Sequence, residues 1–144
     1  MKERVETYLI RYVVFGDEPK LPQIRLLITL TDIMLKDIIK SVRSGVCPFC
    51  NGKFKKIYNH LVYSASPCSR TFSLTITHVY TTYTKLTKYV MWRKGELILD
   101  LPNTRVYFKN KEELINYLRE HEEILKQIEV EPLHETKTTL KHLT

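Results

Sequence analysis

The chain has 144 residues, of which 43% are apolar and 27% charged, and its formal net charge is +7. That is the balance of one soluble globular domain over 1–144, long enough to bury about two thirds of its unfolded surface and too short for a second full domain. No run reaches the roughly 18 apolar residues of a membrane span. The charged start Met1-Lys2-Glu3-Arg4 leads into no apolar signal core, so an intracellular, cytoplasmic protein is expected.

In chain order, Val5 to Phe15 is rich in β-branched and aromatic side chains and stops at Gly16-Asp17-Glu18-Pro19, which predicts a strand and a turn. Gln23 to Leu30 is the expected hairpin partner, with Pro22 at its start, where a missing N–H is tolerated. A helix follows over 32–44, capped by Thr31 or Asp32, striped by Leu35, Ile38, Ile39 and Val42, and ended by Gly45. Lys40 and Arg43 suit its negative end and should lie beside the segment that comes next.

That segment carries the chemistry. Cys47 and Cys50 are three residues apart, Gly52 follows them, and His60 and Cys68 come later, giving Cys47-x2-Cys50-x9-His60-x7-Cys68. Two thiolates at this spacing fit one tight knuckle, with Gly52 expected to let the backbone turn beneath a metal and His60 and Cys68 closing a tetrahedron around zinc. Phe54 and Ile57 supply a small core, and Ile57, His60 and Leu61 share one helical face. Pro67 is expected to end that helix and return Cys68 toward the metal. The competing readings are buried thiols or a redox Cys-x2-Cys. A redox pair should open a helix after a buried strand, whereas Gly45 precedes this pair and Asn51-Gly52 follows it. A disulfide would also leave one of three cysteines unpaired.

The stretch resembles a zinc finger of the two-Cys, two-His family, or its variant with Cys as the last ligand. Cys47, Cys50, Phe54, Ile57 and His60 follow the family order Cys-x2-Cys-x3-Phe-x5-Leu-x2-His. Three residues are missing between Phe54 and Ile57, and the last spacing is x7, so the family's base-reading positions do not transfer. The resemblance covers 47–68 only; it implies a metal and, less directly, nucleic acid.

Beyond the inserted finger, placed at 46–69, Phe72, Leu74, Ile76, His78 and Tyr80 alternate with Thr71, Ser73, Thr75 and Thr77, which predicts a strand with one apolar face. His78 on that face is the alternative to Cys68 as fourth ligand. Thr81 to Trp92 reads as strand, turns at Arg93-Lys94-Gly95 and returns over Glu96 to Leu101 as a hairpin. Pro102-Asn103 turns again, Arg105 to Phe108 is a short strand, and Asn110 with Glu113 resembles a capping box opening a helix faced by Leu114, Leu118, His121, Leu125 and Ile128. Residues 131–144 read as a flexible tail. The expected fold is α+β: a mainly antiparallel sheet, two helices and the inserted zinc finger.

The charge is concentrated. Residues 36–70 carry seven basic side chains against Asp37 alone, while 110–144 are net acidic. A basic middle around a metal finger favours a polyanion, with Lys40, Arg43, Lys53, Lys55, Lys56 and Arg70 as candidate contacts to nucleic acid, DNA before RNA. The function expected is that of a small DNA-binding regulator of the kind mobile elements and viruses encode. The rival is a protein-interaction module, docking a partner or a second copy through the acidic C-terminal helix. A magnesium nuclease using Glu96 and Asp100 is third, and no catalytic motif is present: the chain lacks the deaminase His-x-Glu, the hydrolase His-Glu-x2-His and any phosphate loop.

Overall fold

Helical and alternating periods compete along this chain, and in three segments whose composition suggests strands the helical period prevails. In the computed structural model, whose described residues are 5–18 and 24–131, Val5–Phe15 is helix α1 rather than a strand. Positions 5, 8, 9, 12 and 13 form one helical stripe, and Leu9, Tyr12 and Val13 from it are buried. β-branched enrichment reflects how side chains fit a half-buried surface more than a backbone preference, so it does not outweigh that stripe. Gly16, at φ +77, ends α1 by donating its N–H to the Tyr12 carbonyl at 2.8 Å.

The expected partner strand is likewise helical: Arg25–Met34 forms α2, whose nearly continuous apolar run does not by itself separate the two structures. Its threonines are accommodated by bonding backward. Thr29 Oγ1 donates to the Arg25 carbonyl at 3.0 Å and Thr31 Oγ1 to the Leu27 carbonyl at 2.8 Å. Neither Thr31 nor Asp32 therefore caps a helix. Asp32 instead accepts the Tyr12 hydroxyl proton at 2.6 Å, and burial together with this carboxylate pushes Tyr12 up to about 12. After a bend at Leu35, Lys36–Arg43 forms α3, so the expected 32–44 helix is the second half of a longer bent rod. Gly45, at φ +81, ends it as predicted. The expected proline at 22 lies outside the described residues.

Pro67–Thr87 forms α4, again where a strand is expected. Ser66 accepts from the Ser69 N–H, at 3.3 Å through Oγ, so Ser66-Pro67 is a helix start, with a capping serine and a proline in the first turn, and not the stop read from Pro67 alone. Phe72, Ile76 and Val79 are buried along α4, while Leu74 and His78, which alternation would put inside, are exposed. Thr75, Thr84 and Thr87 bond back to the carbonyls of Thr71, Thr81 and Thr84, each at 2.8 Å.

Three strands follow: β1 (Val90–Arg93), β2 (Glu96–Leu101) and β3 (Thr104–Phe108), an antiparallel sheet in the order β1-β2-β3. Arg93 pairs with Glu96, leaving Lys94 and Gly95, both at positive φ, as a two-residue turn whose twist matches the strands. Asn110 Oδ1 accepts the Glu113 N–H at 3.0 Å and the Glu113 carboxylate accepts the Lys109 N–H at 2.9 Å, a reciprocal cap for α5 (Lys111–Glu120). The expected single C-terminal helix is broken at His121, whose ring stacks on Tyr117, and α6 (Glu122–Glu129) resumes the buried face with Ile124, Leu125 and Ile128. Glu131 accepts the Tyr89 hydroxyl proton at 2.7 Å, which pushes Tyr89 up to about 12. The rest of the expected tail, from 132, lies outside the described residues.

The fold class is α+β, with an antiparallel sheet smaller than expected and more helix. The chain divides into two compact units, Met1–Tyr80 and Thr81–Thr144, with the boundary inside α4. The core of the first includes Leu9, Leu27, Leu30, Leu61 and Phe72; that of the second includes Leu86, Leu99, Leu114, Leu118 and Leu125. No helix among the described residues is long and apolar enough to cross a membrane.

Candidate metal centre

The end of α3 delivers the chain into a short β-like clasp. Val46 pairs with Lys53, the Cys47 N–H donates to the Gly52 carbonyl at 2.9 Å, and the Asn51 N–H donates to the Cys47 carbonyl at 2.8 Å. These bonds fold Cys47 and Cys50 into one knuckle. The turn itself uses Asn51, at φ +62, rather than Gly52. Gly52 is needed for a different reason: a Cβ there would meet the Phe54 ring at 2.9 Å and the Cys50 sulfur at 3.4 Å. The Phe54 ring has little room to yield, because it stacks on His60 with centroids 3.9 Å apart and planes inclined by 15°.

His60 comes from a π-helical turn, Asn59–Tyr63, closed by the Ser64 N–H on the Asn59 carbonyl at 3.0 Å. Ile57 and Leu61 are buried beneath it, as the shared face predicts. Cys68 stands in the first turn of α4. One ligand atom from each of Cys47, Cys50, His60 and Cys68 lies within 4.8 Å of all the others, and Cys50 Sγ is 3.7 Å from His60 Nε2. Donors bound tetrahedrally to zinc lie about 3.5–3.8 Å from one another, so a small contraction closes the set on an ion. Among the described residues this is the one group of three or more Cys, His, Asp and Glu side chains so placed. His78 is not in it: ten residues along the same helix puts it about 15 Å from Cys68.

Three thiols and an imidazole are a donor set suited to zinc, and four protein donors leave no open position for a substrate. Without the ion the thiols are held unequally. A backbone hydrogen bond from Gly52 pulls Cys50 below the usual thiol range, whereas burial and the neighbouring Cys47 and Cys50 sulfurs push Cys68 up to about 11. Cys68 therefore keeps its proton at neutral pH, and a metal must displace it. Metal affinity is expected to rise with pH throughout the range below about 11, by about tenfold per unit for each proton released. Calorimetry in buffers of different ionisation enthalpy measures that release; uptake with no net proton release at pH 7 contradicts the assignment of Cys68.

Of the basic side chains, Lys55, Lys56 and Arg43 border a common depression, and Lys40, Lys53 and Arg70 are exposed on the same unit. Arg43 also holds the fold together, since it donates to the carbonyls of Val13 at 3.2 Å and Tyr12 at 2.7 Å, stitching α3 to the end of α1, and lies over the Tyr12 ring. In the second unit, Asp100 is held by both Nε and NH2 of Arg105, at 3.1 and 3.2 Å. The spacing of the cysteines and His60 carries no hint of the aromatic surface beside the Cys3His cluster, formed by Phe15, Tyr58 and Tyr63; two tyrosines bracketing His60 are its only trace in the sequence. Compared with family profiles, curated proteins and solved structures, the chain has no significant match.

Proposed function

We propose that the protein is a zinc-stabilised nucleic-acid-binding protein, a small DNA-binding regulator in which the metal is structural. The observation that carries the reading is the closed Cys3His cluster with Lys53, Lys55 and Lys56 exposed on the segment between Cys50 and His60. An ion held there fixes that segment and so fixes where those three charges are presented; Lys40, Arg43 and Arg70 add positive potential on the same unit. The interaction-module reading calls for an exposed apolar patch in neutral surroundings. The exposed aromatic patch of this unit is instead bordered by Lys55 and Lys56, which favours an anionic partner.

Phosphate contacts should supply most of the affinity, because the turn carrying His60 is too short to offer a reading helix. Titration of labelled duplex DNA at several salt concentrations is expected to give a log–log slope near −0.9 per phosphate contacted, and Lys55→Ala with Lys56→Ala should flatten it by about two units. Absence of binding to duplex and single strands alike, even at low salt, would transfer the assignment to a protein partner.

A further inference from the structure

Resting on that reading, we propose that Phe15, Tyr58 and Tyr63 form a stacking platform for unpaired bases, with Lys55 and Lys56 meeting the phosphates, so that the preferred ligand is single-stranded nucleic acid. Two of these rings are unusually open to solvent: Phe15 is 56% exposed and Tyr63 73%. They form a connected row. Phe15 stacks on Tyr58 at 5.1 Å, and Tyr58 meets Tyr63 edge-on at 5.6 Å. The Tyr58 and Tyr63 hydroxyls lie side by side, and Arg11 adds a positive charge at the same point.

Charge and shape run together along this row. Two shallow depressions meet at Phe54, Lys55, Lys56 and Asn59; one continues to Tyr58 and Phe15, the other to Tyr63 and His60. Asp17 and Glu18, close behind Phe15 in sequence, line neither. A row of rings beside cations is the combination by which single strands are held without sequence readout, because every base has a π-face and every nucleotide a phosphate. In a duplex the base faces are already stacked and cannot reach the rings. An apolar peptide would find the rings but would gain nothing from Lys55, Lys56 and Arg11, which makes the anionic polymer the better fit.

The test uses the metal-loaded full chain, a labelled oligothymidylate and a duplex of equal length, read by fluorescence anisotropy. Wild type should bind the single strand more tightly. Phe15→Ala and Tyr63→Ala should each weaken that binding about 5- to 150-fold while leaving duplex affinity and both salt slopes unchanged; Tyr63→Phe should retain it. Both alanine sites are exposed, and metal content with circular dichroism verifies that the variants fold. If ring removal leaves single-strand affinity unchanged while lysine removal lowers both salt slopes, stacking is refuted and nucleic-acid binding stands. If the ring variants change only self-association in sedimentation, the row is an interface between copies and the proposal is overturned. If neither nucleic acid binds at low salt, both readings fall.

Discussion

Chelation of the metal, or Cys50→Ser, is expected to unfold the segment between Val46 and Ser66 and to lose a binding contribution on the scale of about 10–16 kcal/mol. The reason lies in how little else holds that segment. Cys47, Ile57 and Leu61 are its deeply buried side chains, its regular hydrogen bonds are a one-bridge clasp and a single π-helical turn, and Phe54 is ordered by stacking on a ligand, His60. A contribution of this size is comparable with the whole stability of an ordinary domain, about 5–15 kcal/mol, so the metal-free first unit should melt early and broadly. Elemental analysis of protein purified without chelator should find one zinc per chain. Hydrogen exchange should show protection over 46–66 collapsing on chelation, while Thr81 to Glu129 changes little. Zinc well below one per chain, or full retention by Cys50→Ser, would remove the site.

The cluster is legible in the sequence because coordination restricts which side chains can serve and how far apart they can lie, and the structure brings Cys47, Cys50, His60 and Cys68 within metal-binding distance of one another. Local devices were legible for the same kind of reason. Gly45 after a helix, Lys94-Gly95 between strands and Asn110 with Glu113 each act within four residues, and the structure uses each as expected. Composition at 5–15 and a short alternation at 71–80 both point to strands, yet both segments are helical, and the threonine hydroxyls of α4 are accommodated by bonding back to carbonyls a turn earlier. Arg43 was legible as a charge but not as a fastener, since its carbonyl partners stand thirty and thirty-one residues earlier in the chain. The Phe15–Tyr58 stack was invisible for the same reason: its members become neighbours only through the packing of the first unit.

The competition between periods in α4 gives the second large effect. Alternation places Phe72, Leu74, Ile76, His78 and Tyr80 on one face, whereas the helix buries Phe72 and Ile76 at 1% exposure and Val79 at 0%, and leaves Leu74 64% exposed. Phe72→Ala is therefore expected to destabilise the metal-bound protein by about 3–5 kcal/mol, the cost of a large buried ring and the cavity it leaves. Leu74→Ala, removing a side chain that already sits in water, should fall within about 0.5 kcal/mol. The two positions also differ in what they do to the ligands. Phe72 lies one turn after Cys68 on the inward face of the same helix, so losing it loosens the turn that presents that sulfur, and metal affinity should fall along with stability; Leu74 points away and should leave affinity unchanged. Urea denaturation of the two variants beside wild type, with a competing chelator titration, measures both quantities. Equal destabilisation by Leu74→Ala and Phe72→Ala would restore the alternating face and, with it, a strand in place of α4.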